Sequence, residues 1–250
     1  MLTTVPAVVL TNWLVSTMTK RRADSRRTIL DAAVAEFAAH GFRGATVDAI
    51  ARRARLNKAM IYYHFEDKLA LYLEILRGVF TAIRDRSAAI LASAASPGEK
   101  VAAFIDAFGA EADARPYLPR LMMLEVADGA RHLDPPTLRI MLGVFQNLRA
   151  ILQEGCEKGV FRPVNPVVTY FNIIGPTMFF RAATPVREVI SRLDVVDLRM
   201  DTATFSEHLK DAALRALAAP GAPARAAKAR RRTASPGAPR RRATPTGDRT

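Results

Sequence analysis

The sequence predicts an all-α protein of about nine helices. Three observations predict it. Apolar residues recur at helical spacing (i, i+3, i+4, i+7) in one segment after another. No stretch shows the apolar–polar alternation of a half-buried strand. Prolines at 97, 116, 135, 136 and 166 stand at the starts of periodic segments, where a missing N–H does no harm. The chain has 250 residues and half are apolar, enough for a sizeable core.

The elements follow in chain order. Residues 24–40 form a first helix, with Ile29, Leu30, Ala33, Val34 and Phe37 on one face and Gly41 as a C-terminal cap. "TVDAIARRA" forms a second, in which Val47, Ile50, Ala51 and Ala54 repeat at helical spacing, Thr46 caps and Asp48 suits the positive end of the dipole. A short break, "RLN", leads to "KAMIYYHF", a third helix capped by Asn57. A long helix follows from Asp67 to about Ala95. Residues 99–113, 116–127, 135–158, 166–183 and 202–218 read as the remaining helices. There is no internal repeat.

Charge divides the chain. Residues 20–68 hold eleven Lys/Arg against six Asp/Glu, residues 69–219 hold seventeen of each, and residues 220–250 hold nine against one. The positive field therefore lies towards the two ends of a neutral body, which suggests a polyanionic partner, either nucleic acid or a membrane surface. Residues 1–19 are an apolar extension too short to span a bilayer, with Lys20, Arg21 and Arg22 after it rather than before it. It is expected to be a mis-assigned start ahead of Met18 or a disordered extension, outside the fold, with an interfacial anchor as the minor alternative. No membrane partner is expected. The segment from 220 has no large apolar residue and is expected to be a disordered basic tail of Arg, Ala and Pro. The lone Cys156 allows no internal disulfide, which fits a reducing compartment.

Two short helices joined by a tight turn make a helix-turn-helix. Ile61 and Phe65, four residues apart, anchor the second helix, and Leu56 plugs the turn. Lys58, Ala59, Met60, Tyr62, Tyr63 and His64 are left facing outward or at the rim. The second helix of such a unit lies in the DNA major groove, its first residues at base edges, while Lys, His and Tyr side chains suit phosphate oxygens. The expected partner is double-stranded DNA, contacted by Arg43, Thr46, Arg55, Asn57, Lys68 and the six outward residues.

These residues resemble the tetracycline-repressor (TetR/AcrR-like) family of transcription regulators. "TVDAIARRARLNKAMIYYHFEDKLALY" is similar to that family's DNA-binding segment in Thr46, the Ile50–Ala51 pair, Ala54, "IYYHF" at 61–65 and Lys68. The match covers about residues 22–80. Two positions depart from the pattern. Arg55 stands where the family has a turn glycine, so either the turn adjusts or Arg55 gains a phosphate contact. Asn57 stands where the family has Ser. Between the 1–19 extension and the basic tail at 220–250, the resemblance implies a three-helix DNA-binding domain at 20–70 and a helical ligand-binding and dimerisation domain at 71–219. It further implies a homodimer formed through helices near 166–184 and 202–218, hence a palindromic operator. "VVTYFNIIGPTMFF", apolar nearly all round, permits that contact.

A small apolar effector is also implied. Phe104, Phe108, Met122, Met123, Phe145, Tyr170, Phe171 and Met178 either line a cavity for it or are plain core. Glu125 either anchors a ligand amine or sits on a solvated face or beside a helix end. The function expected is a ligand-responsive repressor acting in the bacterial cytoplasm, nucleoid-associated when bound. The alternative is a sequence-tolerant structural DNA binder driven by the tail. Catalysis is not expected: His40, His64, His132 and His208 lack metal spacing, and no phosphate loop, nucleophile elbow or cofactor motif occurs.

Overall fold

A computed structural model describes the backbone of residues 7–193 and 195–220, and side chains from residue 20. The expectations for residues 1–6 and for the tail at 221–250 lie outside the described residues. Within them the fold is all-α, with ten helices and one isolated bridge, Phe161 to Ala218.

The helices are α1 Ala7–Gly44, α2 Val47–Ala54, α3 Lys58–His64, α4 Lys68–Ala92 and α5 Pro97–Ala114. Then come α6 Tyr117–Ala127, α7 Pro135–Glu157, α8 Pro166–Ala182, α9 Thr184–Ser191 and α10 Thr202–Leu217. Two corrections to the expected elements follow. The first helix does not begin at residue 24. It runs back to Ala7, so much of the segment excluded from the fold continues α1; no glycine or proline interrupts the chain between Pro6 and Gly41. The second correction is α9, a short amphipathic helix opened by Thr184 and Pro185 with none of its residues buried.

Local chemistry explains the boundaries. Gly41 breaks α1 with φ 67°, a left-handed conformation that glycine adopts without a steric penalty. Asp67 caps α4, accepting from Ala70 N at 2.7 Å. Ser96 and Glu99 close a capping box on α5, where Pro97 opens the first turn. Asp134 caps α7, and Asn165 caps α8.

One continuous core runs from Ile29 to Leu217. The long α4 lies in both parts of the molecule. Its first turns bury Leu71, Tyr72 and Ile75 beside α1, and later turns bury Leu76, Val79, Phe80 and Ile83 among α5 and α7. At α7's end, Gly155 lets the Phe161 ring lie against the helix; a Cβ there would meet a ring carbon at 1.9 Å.

Candidate nucleic-acid interface

The helix-turn-helix is built from its caps inward. Thr46 Oγ1 accepts from Ala49 N at 3.1 Å, and Asn57 Oδ1 accepts from Met60 N at 2.9 Å. Each satisfies an N–H that the first turn of a helix leaves unpaired. Ile50, Ala51 and Ala54 bury one face of α2. Ile61 and Phe65 bury one face of α3. Leu56 is half-buried against them. Arg55 takes the left-handed conformation itself, φ 55° and ψ 37°. The turn keeps its geometry with an arginine where the family has glycine, and the Arg55 side chain is exposed.

What remains outward is a compact surface. Tyr62 and Tyr63 are 50% and 59% exposed, Lys58 and Ala59 are exposed, and Met60 is half-buried at the edge. A helix of 7 residues is about 10 Å long at ~1.5 Å per residue, short enough to sit across a major groove about 12 Å wide.

Besides the caps Thr46 and Asn57, four of the expected contact residues have intramolecular partners. Lys58 Nζ lies 3.1 Å from Asp48 Oδ2, and that hydrogen bond holds its pKa above the ordinary lysine value. Lys68 turns inward: Nζ donates to the carbonyls of Phe42 (2.9 Å) and Ala45 (3.0 Å) and sits 4.3 Å from the Phe42 ring centroid. It closes the α1–α2 turn and is not on the exposed face. His64 is half-buried, with Nε2 2.8 Å from Ser25 Oγ. Ser25 donates its own proton to Arg22 O at 3.0 Å, so Nε2 is left to donate. Desolvation first, then the charges of Arg22 and Arg26, lower the His64 pKa from its ordinary 6.5. Arg43 is exposed and lies 3.8 Å from Asp128.

The sequence reading missed the N-terminal part of α1 as a neighbour of this surface. The Arg22 guanidinium is 5.1 Å from the Tyr63 ring centroid, and Arg26 is 5.3 Å from that of Phe65 while pairing with Glu74. The basic run at 20–22 was the available signal.

The expected effector residues fall in different settings. Phe104, Phe108 and Met178 are buried core, and Met122 is half-buried. Phe145 and Tyr170 meet edge to face at 5.5 Å, and burial pushes the Tyr170 phenol up to about 12. Phe171 and Met123 are exposed. Two surface clefts, one between α5 and α10 and one beside α9, are lined by none of these residues. Glu125 corrects the expectation of a solvated face: it is 2% exposed. It accepts from Tyr72 Oη at 2.9 Å and from His132 N at 3.1 Å, and lies 3.1 Å from His132 Nδ1. Phe42 meets both partners, tilted against His132 at 4.2 Å and edge to face with Tyr72 at 5.1 Å between ring centroids. This buried node joins α4 and α6 to the α1–α2 turn.

Comparison with known proteins adds the following. Residues 29–75 match the description "Bacterial regulatory proteins, tetR family", and residues 97–212 match "Tetracyclin repressor-like, C-terminal domain". The HTH-type transcriptional repressor NicS of Pseudomonas putida is 26% identical over 197 residues, 77% of this chain and 92% of its own length. The HTH-type transcriptional repressor KstR2 of Mycolicibacterium smegmatis is 29% identical over 159 residues, 62% of this chain and 76% of its own. A crystal structure of a bacterial regulatory protein in the tetR family from Rhodococcus RHA1 superposes with TM-score 0.65 at 17% identity, covering 78% of this chain and 98% of that one.

Proposed function

The chain belongs to the tetR family of bacterial regulatory proteins, and we propose that it represses transcription as a homodimer whose two α3 helices read a palindromic operator. DNA-binding, ligand-responsive regulation is the function of this family's members. The observation that carries the assignment is the exposed face of α3: Tyr62 and Tyr63 stand out from a helix whose other face is sealed by Ile61 and Phe65. A helix held so firmly on one side and so open on the other fits insertion into a groove.

The dimer surface we assign is α8 with α10. Val167, Val168, Phe171 and Phe179 form one exposed stripe along α8. Ala203, Ala212 and Ala216 lie on the exposed face of α10, small enough for close helix approach. Val186, Val189, Leu193 and Val195 continue the apolar surface beyond α8. A monomer exposing a patch of this kind is the exception, and a second copy is the occupant a two-fold assembly supplies.

Effector binding in the helical body would reach the DNA through α4. The Tyr72–Glu125–His132 node ties that helix to α6 and to the α1–α2 turn, so a shift of α6 displaces the unit that positions α3. Coupling of about 1–3 kcal/mol suffices for a several-fold to hundred-fold change in operator affinity. No described helix is long and apolar enough to cross a membrane, and the assigned place of action is the cytoplasm.

The test is selection of bound duplexes from a random pool, followed by titration with small apolar compounds. Enrichment of a palindrome, released by at least one compound, supports the proposal. Recovery of unrelated sequences contradicts it and favours a tail-driven structural binder.

A further inference from the structure

The recognition helix carries little free charge of its own. Lys58 is paired with Asp48, and the one histidine of α3, His64, is half-buried with Nε2 against Ser25 Oγ. Nearby cations are also engaged: Arg26 with Glu74, Arg53 with Glu36 at 2.7 Å, and Lys68 with two carbonyls. Yet affinity for duplex DNA rests largely on cations that neutralise phosphates. They must come from beside α3.

Apart from Lys68, which is held by its two carbonyls, the cations of this domain without an acidic partner among the described residues are Lys20, Arg21, Arg22, Arg27, Arg52 and Arg55, all exposed. They fall mainly in two places. Arg52 and Arg55 stand at the turn that leads into α3. Lys20, Arg21 and Arg22 stand on α1 at the other end of α3, where Arg22 lies 5.1 Å from the Tyr63 ring centroid and Ser25 bonds His64. A guanidinium stacked on an aromatic face keeps its in-plane N–H donors free, and those donors match phosphate oxygens.

We propose that the Lys20–Arg22 turn of α1 is a second DNA-gripping element, which binds backbone phosphates at the C-terminal end of α3, with Arg22 oriented by the Tyr63 ring. The proposal rests on the regulator reading. It assigns affinity to α1 and base choice to α3.

The experiment uses the full chain and its selected operator. Binding to the operator and to a scrambled duplex is measured over a salt series, for the wild type and for a triple variant, Lys20→Ala, Arg21→Ala and Arg22→Ala. These side chains are exposed, and an unchanged melting temperature checks that the fold persists. Each phosphate contact contributes about 0.9 to the slope of log K against log salt. The expected result is a slope shallower by about 1.8 or more per protomer and an operator Kd at least about tenfold weaker at ~0.1 M salt. The ratio of operator to scrambled affinity should stay within about threefold of wild type. An unchanged slope overturns the proposal. Loss of the affinity ratio overturns it too, because α1 would then be reading bases. If the wild type selects no operator, the regulator reading itself fails, and that is seen before any variant is made.

Discussion

Arg55 holds a backbone conformation that costs an L side chain about 1 kcal/mol or more. Arg55→Gly should therefore raise stability by about 0.5–1 kcal/mol in chemical denaturation while weakening DNA binding, since the exposed guanidinium is lost. Glu125 presents the opposite case. It is buried, accepts from Tyr72 Oη and His132 N, and lies against His132 Nδ1, so Glu125→Ala strands Tyr72 Oη and the His132 groups. A loss of about 1–3 kcal/mol is expected from denaturant midpoints, and an unchanged midpoint would remove the node from the coupling argument. His64 gives a pH signature. Its folded pKa lies below its ordinary 6.5, so below that pH the unfolded chain binds more protons than the folded one. Stability present above pH 6.5 is lost as pH falls through the folded value. Melting temperatures between pH 7.5 and 5.5 should fall less steeply in His64→Gln than in wild type. Residue roles were legible where the partner is local. Thr46 and Asn57 cap because their side chains meet N–H groups three residues on. Lys68 and His64 were not legible, since their partners lie 23 to 39 residues away in sequence.

At the scale of elements, α3 rests on its N-cap as well as on its buried apolar face. Asn57→Ala removes the bond to Met60 N and should cost about 1 kcal/mol, read as a lower melting temperature and weaker operator binding together. The α7 end makes a sharper case. Gly155→Ala drives a Cβ into the buried Phe161 ring, and destabilisation of about 1–3 kcal/mol or more is expected. Gly155→Ala combined with Phe161→Leu should recover part of it, because the overlap is with the ring. Helix boundaries were legible where a cap and a proline open a long periodic segment, as at Ser96–Pro97, Asp134–Pro135 and Asn165–Pro166. α9 went unread because its apolar residues face outward and its helical stretch is only eight residues. The length of α1 went unread because the apolar composition before Met18 argued for an extension, whereas the backbone responds to the absence of any helix breaker.

At the scale of the molecule, the chain divides its chemistry between two ends. The helix-turn-helix and the Lys20–Arg27 stretch of α1 hold the excess of cations, and α8 to α10 hold an exposed apolar surface. The first was legible in the sequence from the charge count and the spaced motif. The effector site was not, because its candidate residues are apolar side chains that suit core and cavity equally, and the fold distributes them among core, rim and surface. If α8 mediates assembly, Phe171→Asp should weaken the dimer at least about tenfold in sedimentation equilibrium, since a charge buried in an apolar interface lacks a partner. It should reduce operator binding in parallel and leave the monomer folded. The most direct measurement is a footprint of the full chain on its selected operator, at near-physiological salt with excess competitor DNA. The account predicts a protected palindrome whose half-sites are centred about 34–36 Å apart, or a multiple of that, on one face of the duplex. Diffuse protection, or a single asymmetric site, would contradict a two-fold regulator with α3 in the groove.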